Sequence, residues 1–132
     1  MSEENVETVR RGFAAAMAED WPTALATVHP QAEILDFDIP DAGTYHGHEG
    51  FLAWLENWGS GWEEWRTDNV EFRPAGEDGV IALFRLVARG KASGIEAGRD
   101  DAIVYRLHDD QIVRLEYFND QAKALEAAGL SE

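Results

Sequence analysis

The side chains in this sequence best suited to chemistry fall into a few groups. His46, His48 and Glu49 stand near Asp38, and imidazole with carboxylate is a donor set for a divalent metal. On a strand the two histidines would share a face, but Gly47 and Gly50 mark a turn into a helix, which scatters them. The segment reads as an exposed turn with a helix cap, and no metal or other cofactor is expected. Trp54, Trp58, Trp62 and Trp65 recur near helical steps. Such a stripe makes either core or the aromatic wall of a pocket for a flat, ring-shaped organic molecule. Arg85 is the lone charge in VIALFRLVA and reads as an ion-paired residue, because an unpaired guanidinium in a core is very costly. Asp36 and Asp38 share a face if the chain is extended there, and so do Asp101, Ile103 and Tyr105. The absence of cysteine excludes a disulfide framework, thiolate metal ligands and a cysteine nucleophile.

The elements that must hold these groups follow from hydrophobic spacing. From Glu3 to Glu19, Val6, Val9, Phe13 and Met17 form an amphipathic stripe that predicts a helix. Asp20 and Pro22 cap and start a second short helix carrying Leu25 and Val28. Ala32 to Phe37 is a short β-leaning run, and IPDAGTYHG after it is a loop. Gly47 to Trp58 places Phe51, Trp54, Leu55 and Trp58 on one helical face and stops at Gly59, Ser60 and Gly61. The second half changes character. VEFRPAGEDGVIALFRLVARG and AIVYRLHDDQIVRLEYF predict three or four antiparallel strands, and VIALFRLVA reads as a strand covered on both faces. Asn119 to Gly129 closes as a helix. Helices first and a meander last predict one α+β domain over residues 1–132, a curved sheet with helices across a single face.

Composition bounds the partners. The chain has 132 residues, 45% of them hydrophobic, which is enough to fold alone around one core. Eleven basic against 26 acidic residues give a net charge of −15, a field that repels nucleic-acid phosphates and anionic lipid. MSEENVETVRR lacks the basic start and apolar run of a signal peptide, and no stretch approaches a membrane span. A soluble, cytoplasmic protein is expected, pairing as a homodimer through the open sheet face.

The helix pair, the segment ILDFDIPDAGTYHGHEGF, the aromatic helix and the ending AIVYRLHDDQIVRLEYFNDQAKALEAAGL resemble the SnoaL-like branch of the nuclear transport factor 2-like superfamily over nearly the whole chain. The resemblance implies an α+β cone in which the concave sheet face and the N-terminal helices enclose an apolar pocket, while the opposite face pairs two subunits. It implies a range of functions: ketosteroid isomerases, limonene epoxide hydrolases, polyketide cyclases and non-catalytic binding domains. Matching the HG of TYHG to the same dipeptide in the ketosteroid isomerases places Asp38 at their proton-abstracting aspartate. Partial desolvation there raises a carboxyl pKa and suits it to take a proton beside a carbonyl. Asp36 is the rival. The positions of that family's oxyanion donors fall on Phe13 and Ile103, which donate nothing. Arg85 matches the epoxide hydrolases' arginine, but Val87 and either Tyr117 or Glu116 occupy the remaining positions of that triad.

Two functions follow from these residues. One is a cofactor-independent isomerase, lyase or cyclase with Asp38 as base and a pocket of Phe13, Met17, Tyr45, Trp54, Trp58, Asp101, Ile103, Tyr105 and Tyr117. In it Tyr117, Tyr45 or Asp101 orients an oxygen of an apolar small molecule. The other is a binding or accessory domain with the same pocket.

Overall fold

The computed structural model describes residues 2–37, 44–59, 62–91 and 93–130, without the side chains of Ser2 and Trp58. Chain order is α1 (Ser2–Met17), α2 (Trp21–Ala26), β1 (Val28–Asp36), β2 (Thr44–His46), α3 (Gly47–Gly59), β3 (Trp62–Pro74), β4 (Gly79–Gly90), β5 (Glu96–His108), β6 (Gln111–Phe118) and α4 (Gln121–Ala127).

The stripe Val6, Val9 and Phe13 builds α1, and its end is a left-handed turn at Glu19 with φ 58°. There Asp20 N–H reaches Ala15 O at 2.8 Å and Glu19 N–H reaches Ala16 O at 3.1 Å, the crossed pair that closes a helix. Glycine is the usual residue at that position. Asp20 caps α2 through Thr23 N–H at 3.4 Å, and Pro22 sits in the first turn as its spacing suggests. Val28 begins β1 and is not part of the helix. The helix stops at Ala26, and Thr27 turns its hydroxyl onto Ala24 O at 2.7 Å. At the start of α3, Gly47 has φ +69° and a Cβ there would meet Pro30 O at 2.7 Å, so glycine is required twice over.

One six-stranded sheet runs β2-β1-β6-β5-β4-β3. β1 lies parallel to β6, and every other neighbouring pair is antiparallel. Alternation divides β4 between two layers. Val80, Ala82, Phe84 and Leu86 join Val9, Phe51 and Trp54 in the main core, under α1 and α3. Ile81 and Leu83 point the other way, with Ala102 and Val104, against Ala124 and Leu125 of α4. The expectation of helices on a single face is therefore corrected: α4 packs on the opposite face. A strand apolar on both sides needs a second cover, and Asp120, capping Ala122 and Lys123 N–H at 2.9 and 3.3 Å, starts the helix that supplies it.

The indole stripe also divides. Trp54 is on α3, whereas Trp62 and Trp65 lie on β3, so the four residues do not form one helical stripe. A register shift between Trp62 and Glu64 slips the alternation by one residue and lets both strand indoles pack against the same core.

Candidate functional site

Between α1, α3 and the concave sheet face lies a cavity of ≈ 60 Å³. Its walls come from every surrounding element: Gly12, Phe13, Ala16 and Met17 of α1, Phe51, Trp54 and Leu55 of α3, Trp65 and Thr67 of β3, Phe84 and Leu86 of β4, Ile103 and Tyr105 of β5, and Ile112, Leu115 and Tyr117 of β6. Thr27 and Val28 complete it. Aromatic rings interlock around it. Phe13 meets Phe84 at 5.7 Å, Phe84 meets Tyr117 at 6.1 Å, and Tyr117 meets Trp54 at 6.0 Å between centroids. Such edge and tilted contacts hold the rings in place around the space. At the rim, Thr67 Oγ1 donates to Met17 Sδ at 3.8 Å.

Two phenols provide polarity. Tyr117 donates to Asp101 Oδ2, and Asp101 is completely buried. Arg99 grips the same carboxylate from the other side, Nε to Oδ1 at 2.6 Å and Nη2 to Oδ2 at 2.9 Å. Gln121 Nε2 reaches the backbone oxygen of Asp101 at 3.0 Å, tying the network to α4. Tyr105 differs. It is 5% exposed, its hydroxyl has no hydrogen-bond partner among the described residues, and burial pushes its pKa well above the usual phenol value. Behind the wall, Trp54 Nε1 donates to Asp36 Oδ2 at 2.7 Å, and Asp36 is 6% exposed.

The structure brings Phe13, Met17, Trp54, Ile103, Tyr105 and Tyr117 around this one cavity. Tyr45 is not in its lining: it sits on the short β2, where its hydroxyl accepts from Asn57 Nδ2 at 3.2 Å. Asp101 is one layer back, behind the Tyr117 hydroxyl. Asp38 and the Trp58 side chain lie outside the described residues. Arg85 faces away from the cavity on the outer sheet surface, paired with Asp100 at 2.9 Å and half exposed. His46 lies 3.9 Å from Glu33, while His48 Nε2 meets Val28 O at 2.7 Å. The two histidines thus turn to different partners, and among the described residues no three His, Asp or Glu side chains converge as a metal site would require.

Several lining residues lie outside the pocket set that the sequence predicts. Phe51 and Leu55 share the helical face of Trp54 at steps of three and one, and Phe84 and Leu86 alternate along β4, so both were present as periodicity. Trp65 and Thr67 carry no such signal, because they reach the cavity only after the shift in β3.

The model of the SnoaL-like domain matches residues 9–115. The chain belongs to the SnoaL-like domain family. Solved structures of nuclear transport factor 2-like architecture superpose on this SnoaL-like domain over nearly its full length. One such protein of unknown function from Burkholderia pseudomallei is 25% identical with a TM-score of 0.77, covering 93% of this chain and 95% of its own. TerC, co-crystallised with polyporic acid, is 21% identical with a TM-score of 0.76, covering 96% and 98%. A candidate polyketide cyclase from Xanthomonas campestris pv. campestris shares 12% identity with a TM-score of 0.77, also covering 96% and 98%. At the latter two identities the likeness is one of fold. No curated protein matches the chain. The α+β cone of the SnoaL-like domain is thus shown by family and architecture together, and no helix among the described residues is long and apolar enough to cross a membrane.

Proposed function

We propose that this SnoaL-like domain binds a largely apolar, oxygen-bearing organic molecule in its aromatic cavity and moves a proton on it as a cofactor-independent isomerase, lyase or cyclase, with Asp38 as the base. The observation that carries the reading is Tyr105, a phenol without a protein partner among the described residues in a largely apolar cavity. A hydroxyl that borders an apolar cavity without a protein partner forgoes a hydrogen bond whose net value is about 1 kcal/mol, and a ligand oxygen supplies it. Tyr117, with its hydrogen committed to Asp101, offers an oxygen lone pair to a ligand hydroxyl. The fold neighbours that carry polyporic acid or are candidate polyketide cyclases support a small organic ligand.

A test is deuterium exchange beside the carbonyl of small cyclic ketones in heavy water. Wild-type protein should accelerate it, and Asp38→Asn should lower the rate by roughly 10²-fold or more while ligand binding persists. Asp36→Asn should leave the rate largely intact. A second reading, a non-catalytic binding domain, is favoured by Phe13 and Ile103, which line the cavity without any donor for an enolate oxygen. Binding without exchange in the wild type would select it.

The proposal includes a homodimer formed through the sheet surface that α4 leaves uncovered. There Phe37, 53% exposed, stacks on Phe118 at 5.0 Å and gives the surface an apolar rim. Sedimentation at micromolar concentration should show twice the 14.7 kDa chain mass, and a monomer alone would refute the pairing.

A further inference from the structure

Outside the cavity, the end of α1, the last turns of α3 and the start of β3 frame an open groove of ≈ 1060 Å³. Met17, Leu55, Trp65 and Thr67 line both spaces, so the groove is the vestibule of the cavity. Among the described residues its charged lining is Glu19, Glu56, Glu63 and Glu64 against Arg66. The charges are unequally neutralised. Arg89 lies 3.7 Å from Glu63 and 2.5 Å from Glu64, while Arg66 is shared with Asp68 at 3.2 Å and Glu96 at 4.0 Å. Glu19 and Glu56 form no ion pair among the described residues. Trp21 also lines the groove, and an indole face attracts cations and repels anions.

We infer that this vestibule selects its visitor by charge: the apolar, oxygen-bearing molecule placed in the cavity is neutral or carries a cationic amine, and is not a carboxylate or phosphate. The inference rests on the cavity being the binding site, and it names the class of molecule that site accepts. Two observations made independently support it. The inner end carries Tyr105, a buried residue lining the cavity whose phenol has no protein partner among the described residues, which calls for a ligand oxygen or nitrogen. The outer end carries surplus carboxylate within a concave wall, where field lines concentrate and raise the local level of cations.

The test uses three molecules with one ring and different heads: phenethylammonium, phenethyl alcohol and phenylacetate. Affinities are read by calorimetry or tryptophan fluorescence at about 10 mM and about 150 mM salt, where the Debye length falls from ~30 to ~8 Å. The expected order at low salt is ammonium, alcohol, carboxylate, with roughly fivefold between steps from two carboxylates acting across water at several ångströms. Higher salt should compress the order. Glu19→Gln with Glu56→Gln should collapse most of the ammonium advantage and leave the alcohol unchanged. Glu19→Gly removes one carboxylate while relieving the backbone, so it separates lost charge from lost fold. If the alcohol binds but the three heads do not rank by charge, the inference is overturned and the cavity reading stands. If none of the three binds, both are overturned.

Discussion

Asp101→Asn should destabilise this SnoaL-like domain by roughly 2–4 kcal/mol, the range for breaking a buried ion pair from one side with some relief by solvent. The reason is in the three donors. Asp101 is 0% exposed and accepts from Arg99 Nε, Arg99 Nη2 and the Tyr117 hydroxyl, so its charge is both desolvated and fully used. An amide in the same volume offers one acceptor oxygen and turns an NH2 toward donors. Arg99 has an outlet, because its side chain is 42% exposed and can swing into water, which keeps the loss below that of a sealed pair. Tyr117 has no such outlet and should lose its fixed orientation. Urea denaturation measures the first effect, and the second appears as loosened packing between Tyr117 and Trp54, whose ring centroids lie 6.0 Å apart. A double-mutant cycle with Arg99→Gln should return a coupling of about 1–3 kcal/mol. A loss under about 0.5 kcal/mol would mean that these contacts contribute no more than an exposed surface pair.

That network also shows what the sequence makes legible and what it withholds. Asp101, Ile103 and Tyr105 alternate, so one face of β5 was readable from spacing alone, and the inward position of Tyr117 follows once Ile103 is paired with it. The grip of Arg99 on Asp101 is local, two residues apart on one strand face, yet three consecutive charges, RDD, have the composition of an exposed loop and hide it. The direction of Arg85 is not legible for a different reason. Its direction depends on the register of β4 against β5, and a slip of one residue reverses every side chain. Pairing Arg85 with Asp100 and Phe84 with Asp101 fixes it outward. The indoles at positions 62 and 65 misled because a bulge imitates a helical step, three residues on one side. The place of α4 was latent in the doubly apolar β4, which a single layer of helices cannot cover. The helical stripes of α1 and α3 were plain, since their period needs no distant partner.

Tyr105→Phe should give the opposite of a normal core lesion: a fold as stable or more stable at neutral pH, with weaker binding of oxygen-bearing ligands. Removing the hydroxyl keeps the ring against Leu107 and Ile112 in the same core and deletes a polar group that has no protein partner among the described residues. The gain should be a few tenths to about 1 kcal/mol, smaller than the full desolvation penalty because the hydroxyl borders the cavity. Affinity for a ring ketone or alcohol should fall about fivefold to tenfold, the value of one hydrogen bond made in a dry site. The alkaline limb gives an independent measure. Burial raises the Tyr105 pKa above the ordinary phenol value of 10.0, so the folded state holds the phenolic proton where the unfolded chain releases it. This contribution to stability is complete below pH ~10 and declines as pH rises further, by up to about 1.4 kcal/mol per unit. Phenylalanine cannot titrate, so the variant should pull ahead of wild type progressively above pH ~10, beyond its advantage at pH 7. Parallel stability curves for the two proteins through that range would show the phenol to be solvated in the folded state. Weaker folding at neutral pH would show its hydroxyl to be a structural bond, and the cavity would lose the polar anchor on which its ligand depends.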